Sequence, residues 1–289
     1  MSIQTAILDK SMPHGRFMVF NLKSHCDTDA LRSVLSDLKV DKHLIVGLGQ
    51  KLLAKLAMNI ADYRQFPQLD ATVDVPVSHG DLFVFIRDME PGKVAVRSLP
   101  IKKQLNICFE TVLQVDGFKY LGQVDGYGHD LTGYEDGTEN PLGDDARKAV
   151  VRDDGSTFVA LQQWQHNLSK FNDFTQPHKD NTIGRRLADN EELDDAPASS
   201  HVNRADQGTF AIDADILRRS LPWANEHGEG LMFMAFCENL DRFEVQMRRM
   251  AGLTDGITDA LFTFSQVLNS AYFYCPAVAD ERLDITLFK

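Results

Sequence analysis

With 289 residues, 43% of them hydrophobic and 25% charged, the chain has the material for one large domain or two modest ones of an ordinary globular protein. Thirty basic against forty-two acidic side chains, a net charge of -12, oppose non-specific binding to nucleic acid or to an anionic membrane surface and mildly favour cationic small molecules. The N-terminal MSIQTAILDKSMPHGR has no basic region ahead of an apolar run and no twin arginine, and no apolar stretch approaches the ~20 residues of a membrane span, so a cytoplasmic location is expected.

RFMVFNLK (16–23) has the aromatic and β-branched content of a strand, and 27–39 places Leu31, Val34, Leu35 and Leu38 at helical spacing behind an Asp/Thr cap. HLIVGLG (43–49) reads as a second strand, QKLLAKLAMNIA as a helix and DLFVFIRD (81–88) as a third strand. Pro100 leaves 91–106 ambiguous, while ICFETVLQVDGFKY (107–120) returns to strand character. GLG at 47–49 lacks the third glycine and the spaced acidic residue of a dinucleotide fingerprint and reads as a strand-to-helix turn.

LTGYEDGTENP (131–141) packs two glycines, an Asp-Gly and an Asn-Pro around Asp136, which by itself spells a tight turn carrying a carboxylate. STFVALQQW (156–164) starts the strand pattern again and leads into helical HNLSKFNDF. Residues 186–207 are almost devoid of hydrophobics and read as a long loop, after which 208–223 resumes order. In 229–250 a buried strand precedes a helix with Phe243, Met247 and Met250 on one face, an echo of GDLFVFIRDMEPG (80–92) that suggests a degenerate duplication. The alternation implies antiparallel sheets with helices on one side, an α+β layout. Cys26, Cys108, Cys237 and Cys275 are widely spaced and form no C-x-x-C, so buried free thiols are expected rather than a zinc site or a disulfide framework.

Three stretches, 131–141, 183–204 and 216–236, resemble in order and spacing the dye-decolourising peroxidase family. Gly133, Asp136 and Gly137 match its G-x-x-D-G loop, Ser200, His201 and Arg204 its S-H-x-x-R context, and Arg218, Ser220 and Pro222 its I-L-R-x-S/N-x-P context. GDLFVFIR (80–87) and FVALQQWQHNL (158–168) extend the resemblance over nearly the whole chain, closest in kind to the compact bacterial branch. The resemblance implies tandem ferredoxin-like halves, 1–130 and 131–289, antiparallel sheets with peripheral helices, and one haem b per chain held mainly by the second half. It also implies hydrogen peroxide and small aromatic reductants as partners, and a homo-oligomer.

Residue by residue, the resemblance makes His201 the iron ligand, Asp136 and Arg218 the distal acid-base and charge-stabilising pair, and Gly137 part of the cofactor-binding loop. Ser220 stands where some relatives carry Asn. Asp259 matches the acidic partner of the proximal histidine, with Asp255 and Asp213 as alternatives. The chemistry agrees with these residue types. A neutral imidazole anchors iron, a carboxylate takes and returns a proton in acid, and an arginine carries fixed charge. An Asp base implies an acidic optimum. His166, at a strand-helix junction, is the strongest rival histidine, and local bonding is the better reading of it. Cys275 before Pro276 could be imagined as a thiolate ligand, but YFYCPA reads as a strand with a packed thiol. Trp164, Trp223 and Tyr127 are candidate electron relays, although most aromatics are core. Two rival functions stand beside the peroxidase: a haem-binding or haem-trafficking protein with little turnover, and a cofactor-free ferredoxin-like module.

Overall fold

The apolar alternation that begins the chain produces β1 (His14–Leu22), which sends Phe17 and Val19 to one face and Met18 and Phe20 to the other. The computed structural model describes residues 2–9, 12–122 and 128–285. After β1 come α1 (Thr28–Ser36), β2 (Leu44–Leu48), β3 (Leu82–Asp88), α2 (Pro91–Leu105) and β4 (Phe109–Phe118). The second half supplies β5 (Thr157–His166), β6 (Leu221–Asn225), β7 (Gly228–Cys237), α3 (Asp241–Met250) and β8 (Ser265–Cys275).

The first four strands lie in the order β2-β3-β1-β4 and the second four in the order β6-β7-β5-β8, every pairing antiparallel. Numbered within its own half, each quartet reads 2-3-1-4, the ferredoxin-like arrangement. The echo between 80–92 and 229–250 therefore has a topological counterpart, because β3 and β7 are both third strands that lead into a helix. One ladder pair between β8 and β2 (Tyr274 with Leu48) and one between β4 and β6 (Gly117 with Trp223) close the eight strands into a ring. An isolated bridge, Val77 with Ser270, lies beside the first of these joins.

Ring closure buries both faces of each quartet. Helices cover the outer face, as the sequence implied, while Phe17, Phe83, Phe85, Trp223, Met234 and Phe273 fill the interior, with Phe83 stacked on Phe273 across the halves at 5.5 Å. The ambiguous segment 91–106 is one helix, α2, with Pro100 inside it. Proline removes the bond to the carbonyl four residues back, that of Val96. Val96 is 67% exposed, so water can satisfy that carbonyl. The helix expected over QKLLAKLAMNIA is shorter, Gln50–Lys55, and the chain turns away at Ala57 with φ 58°.

Two of the four expected free thiols form a disulfide, Cys26–Cys108, with Cα atoms 5.1 Å apart. Strand register explains what spacing concealed. Leu22 at the end of β1 pairs with Phe109 at the start of β4, which brings together two cysteines 82 residues apart. Cys237 and Cys275 are free and buried. No helix among the described residues is long and apolar enough to cross a membrane.

Candidate active site

A cavity opens on the outer face of the second quartet, where β5 contributes Gln162, Trp164 and His166, and β7 contributes Leu231 and Phe233. Opposite them stand Phe243, Met247 and Met250 of α3, the stripe that helical periodicity placed on one face. Asp136, His201 and Arg218, separated by tens of residues in the chain, all line this cavity. Tyr127 lies outside the described residues.

His201 was expected in a loop leading to a strand; instead it opens a one-turn helix, His201–Ala205, N-capped by Ser200, whose Oγ accepts a hydrogen bond from Asn203 N. Arg204, from the last part of that turn, is buried and donates to both oxygens of Asp255 at 2.7 Å and to the Arg249 carbonyl at 2.7 Å. The turn is thereby fastened to the segment after α3. Burial of Asp255 is slight, and its bonds from Arg204 and Ile257 N draw its carboxyl down to about 2.

Nδ1 of His201 lies 2.8 Å from Oδ2 of Asp259, which is 1% exposed and whose other oxygen accepts from Leu261 N at 2.8 Å. A buried carboxylate facing Nδ1 selects the tautomer with its proton there and leaves the Nε2 lone pair for the cavity. The alternatives to Asp259 are otherwise engaged. Asp255 holds Arg204, and Asp213 is paired with Arg242 at 2.5 Å.

Across the cavity, residues 128–136 form a small hairpin, Gly128–His129 against Glu135–Asp136. Asp130 Oδ1 accepts from Thr132 N and Oγ1, at 2.9 and 2.7 Å, and Gly133 and Gly137 take φ of +94° and +88°, which L side chains rarely adopt. Asn140 then clamps the hairpin to the strand bearing Arg218: its Oδ1 accepts from Arg218 N at 2.7 Å and its Nδ2 donates to the Arg218 carbonyl at 3.2 Å. Burial pushes the Asp136 carboxyl above the ordinary range, Arg218 opposes this, and the neighbouring Asp130 adds to it. The buried Nε of Arg218 has no hydrogen-bond partner among the described residues.

His166 is buried and bonded on both sides, Nδ1 to Ser265 Oγ at 2.6 Å and Nε2 to Asp130 Oδ2 at 3.1 Å. Burial would raise the Asp130 carboxyl, but His166 and the Thr132 donors outweigh it and bring it down to about 2. Ser220 accepts from Met234 N at 3.3 Å, and Ser220 and Gly137 line a second cavity rather than this one. Trp164 lines the cavity and donates to Gln162, while Trp223 is in the barrel interior and donates to the Trp164 carbonyl at 3.0 Å. Cys275 is also interior, where burial raises its thiol, and lines neither cavity.

Sequence reasoning missed Asn140 and Asp130. Asn140 was visible only as half of an Asn-Pro turn, and Asp130 lay one residue outside the motif. The residues present suit a flat, largely apolar group with an iron at its centre. One histidine nitrogen is held and the other faces the cavity, aromatic and methionine side chains form the walls, and an arginine with an unsatisfied buried nitrogen stands opposite.

Residues 128–280, more than half of the chain, match the family model described as Dyp-type peroxidase, C-terminal. This chain belongs to the Dyp-type peroxidase family. A dye-decolorizing peroxidase of Rhodococcus erythropolis is 28% identical over 247 residues, covering 80% of this chain and 71% of that relative. Among solved structures, the dye-decolorizing protein from V. cholerae is similar with a TM-score of 0.83 and 26% identity over 94% of this chain and 96% of that one. A variant of DypB from Rhodococcus jostii RHA1 in complex with heme gives a TM-score of 0.84 at 26% identity, again over 94% and 96%. Every residue described above on either side of the cavity lies within the matched segment.

Proposed function

We propose that this Dyp-type peroxidase holds a b-type haem in the cavity between His201 and the Asp136–Arg218 pair. There it reduces hydrogen peroxide to water with electrons from dyes, phenols or similar one-electron donors. That the chain is a haem peroxidase follows from its family; the assignment of roles rests on one observation. A histidine whose Nδ1 is committed to a buried carboxylate faces, across an apolar cavity, a carboxylate and an arginine with an unsatisfied buried nitrogen.

Bound haem would supply the iron at which the O–O bond is cleaved, taking up from peroxide the two oxidising equivalents that donors then remove one at a time. The protein's own groups do the rest. His201 Nε2 would hold the iron, and Asp259, by accepting a hydrogen bond from Nδ1–H, would make the imidazole a stronger electron donor and fix its plane. Asp136 takes a proton from peroxide and returns it to the departing oxygen, while Arg218 stabilises the negative charge that develops there. Asn140 keeps these two groups in register by tying their backbones together. The cycle consumes one peroxide and two donors, each giving one electron and one proton, and yields two waters. We assign the haem to the second half, residues 131–289.

The absorption spectrum before and after one equivalent of peroxide tests this reading. A Soret band that converts within the mixing time is expected. A haem-bound protein with no conversion would make it a carrier, and no Soret band after haem supplementation would remove the cofactor altogether. Cytoplasmic residence and a homo-oligomeric state belong to the same proposal. Alkylation before lysis should find Cys26 and Cys108 as thiols in a reducing cytoplasm; a bond found intact places the chain in an oxidising compartment. Sedimentation at micromolar concentration should show more than one chain per particle.

A further inference from the structure

Tyr134 is a buried phenol to which the assignments above give no role. It stands two residues before Asp136, lines the cavity between His201 and Arg218, and is 3% exposed. Its ring packs edge-on against Phe171 with centroids 6.4 Å apart, and its carbonyl accepts from Asp130 N at 2.9 Å. The hydroxyl reaches the helix Gln176–Ile183, where it donates to Asp180 Oδ1 at 2.5 Å. That is the length of a hydrogen bond from a hydroxyl to an ionised oxygen. Gln176 Nε2 donates to both partners, at 3.2 Å to the phenol oxygen and at 2.8 Å to Asp180 Oδ1, and Leu187 N donates to the same carboxylate oxygen at 3.2 Å. Asp180 is partly exposed and Gln176 is exposed, so one hydrogen bond joins a phenol of the cavity wall to side chains that meet solvent.

No other tyrosine or tryptophan among the described residues both lines this cavity and is bonded to a carboxylate. Trp164 lines it, but its N–H donates to the neutral amide of Gln162 at 3.1 Å. Trp223 donates to a backbone carbonyl, as does Tyr63, and neither lines the cavity. The distinction matters chemically. A phenol that loses an electron becomes a strong acid, so its oxidation is easy only where a base stands ready for the proton; a carboxylate is such a base, and an amide or a carbonyl is not. Burial and the facing Asp180 push the Tyr134 hydroxyl above its ordinary value, so the resting residue is a protonated phenol.

We propose that Tyr134 is a redox-active side chain of this peroxidase, the relay through which a donor too large to enter the cavity reduces the oxidised haem, and that Asp180 takes and returns its proton. The inference rests on the peroxidase reading and moves the relay from the tryptophans to the loop that carries Asp136. Tyr134 gives one electron to the haem and its phenolic proton to Asp180. A phenolic donor at the surface then gives one electron to the tyrosyl radical, Asp180 returns the proton, and the donor's own proton goes to solvent. Two such passages oxidise two donors per peroxide, and two protons from solvent complete the two waters.

Freeze-quench electron paramagnetic resonance of the holoenzyme, mixed with one equivalent of peroxide and no donor, tests the proposal. The wild type should show a tyrosyl radical. Tyr134→Phe, which keeps the ring against Phe171, should lose it, whereas Tyr63→Phe should keep it. Asp180→Asn preserves the shape and an acceptor oxygen but removes the base. It should slow the appearance of the radical, and in both Tyr134→Phe and Asp180→Asn kcat/KM for a phenol tethered to polyethylene glycol should fall, each by about 10²-fold. A tyrosyl signal of wild-type size in Tyr134→Phe, or wild-type kinetics in Asp180→Asn, would overturn the proposal. Conversion of the Soret band by peroxide keeps the failures apart: conversion without a Tyr134-dependent radical sinks the relay alone, and a wild type without conversion sinks the peroxidase reading and the relay with it.

Discussion

His201 and Asp136 face one cavity from opposite sides and are supported in contrasting ways. On the His201 side the groups around the imidazole are engaged: Nδ1 by Asp259, the second Asp259 oxygen by a backbone amide, and the turn itself by the Arg204–Asp255 fork, with the buried Arg204 Nε left without a partner among the described residues. On the other side the backbone is fixed, through the hairpin and Asn140, while the Arg218 Nε has no partner among the described residues and the Asp136 carboxyl is raised by burial. One side is built to hold a single geometry permanently. The other keeps a buried carboxylate and an arginine with an unpartnered buried nitrogen in place, a costly condition for buried polar atoms unless a ligand or a transition state completes them.

The contrast is broken most severely at its fixed end. His201→Ala should abolish haem retention or the ferric-histidine spectrum; a variant that retains both would transfer the anchor to another side chain of the cavity, such as His166, Met247 or Met250.

Next in size come Asp136 and Arg218. Asp136→Ala and Arg218→Leu should each retain haem yet slow formation of the oxidised haem in stopped-flow mixing by about 10²–10⁴. Wild-type rates in both would dissolve the assignment. Because burial raises the Asp136 carboxyl, its base form disappears as pH falls through a value above the ordinary ~3.9. The wild-type rate should therefore decline on the acid side from a higher pH than a free carboxylate would give, and Asp136→Ala should lose that decline. The acidic optimum implied by an Asp base is thus narrowed from below.

Smaller effects sharpen the comparison. Asp259→Asn should weaken haem affinity by about 10–100-fold and raise the iron reduction potential, because a neutral amide cannot support charge on the imidazole. An unchanged potential would reduce Asp259 to packing. His166→Ala, which removes a histidine bonded to Ser265 and Asp130, should keep haem and spectrum.

The sequence made some of this architecture legible and concealed the rest for identifiable reasons. Period-two alternation and the helical stripe Phe243, Met247, Met250 are local properties of the chain, and they placed the strands and the cavity wall. Nothing local announces that Tyr274 meets Leu48 or that Gly117 meets Trp223, so the ring was invisible. Pro100 masked a helix because the exposure that makes its lost bond tolerable is a tertiary fact. The Cys26–Cys108 bond depends on strand register across 82 residues. At the site, motif order brought Asp136, His201 and Arg218 forward, whereas Asn140 acts through its partner's backbone and could be seen only after folding.

The two joins of the ring carry a consequence of their own. Each rests on a single ladder pair, the first with the Val77–Ser270 bridge beside it, and the apolar interior, including Phe83 against Phe273, adds to what binds the halves. Adhesion of that kind weakens on cooling and in urea, while the longer ladders within each quartet retain their internal bonds. Cold or mild denaturant should therefore loosen the seam before either sheet, and His201, Asp136 and Arg218 all lie in the second half, on one side of it.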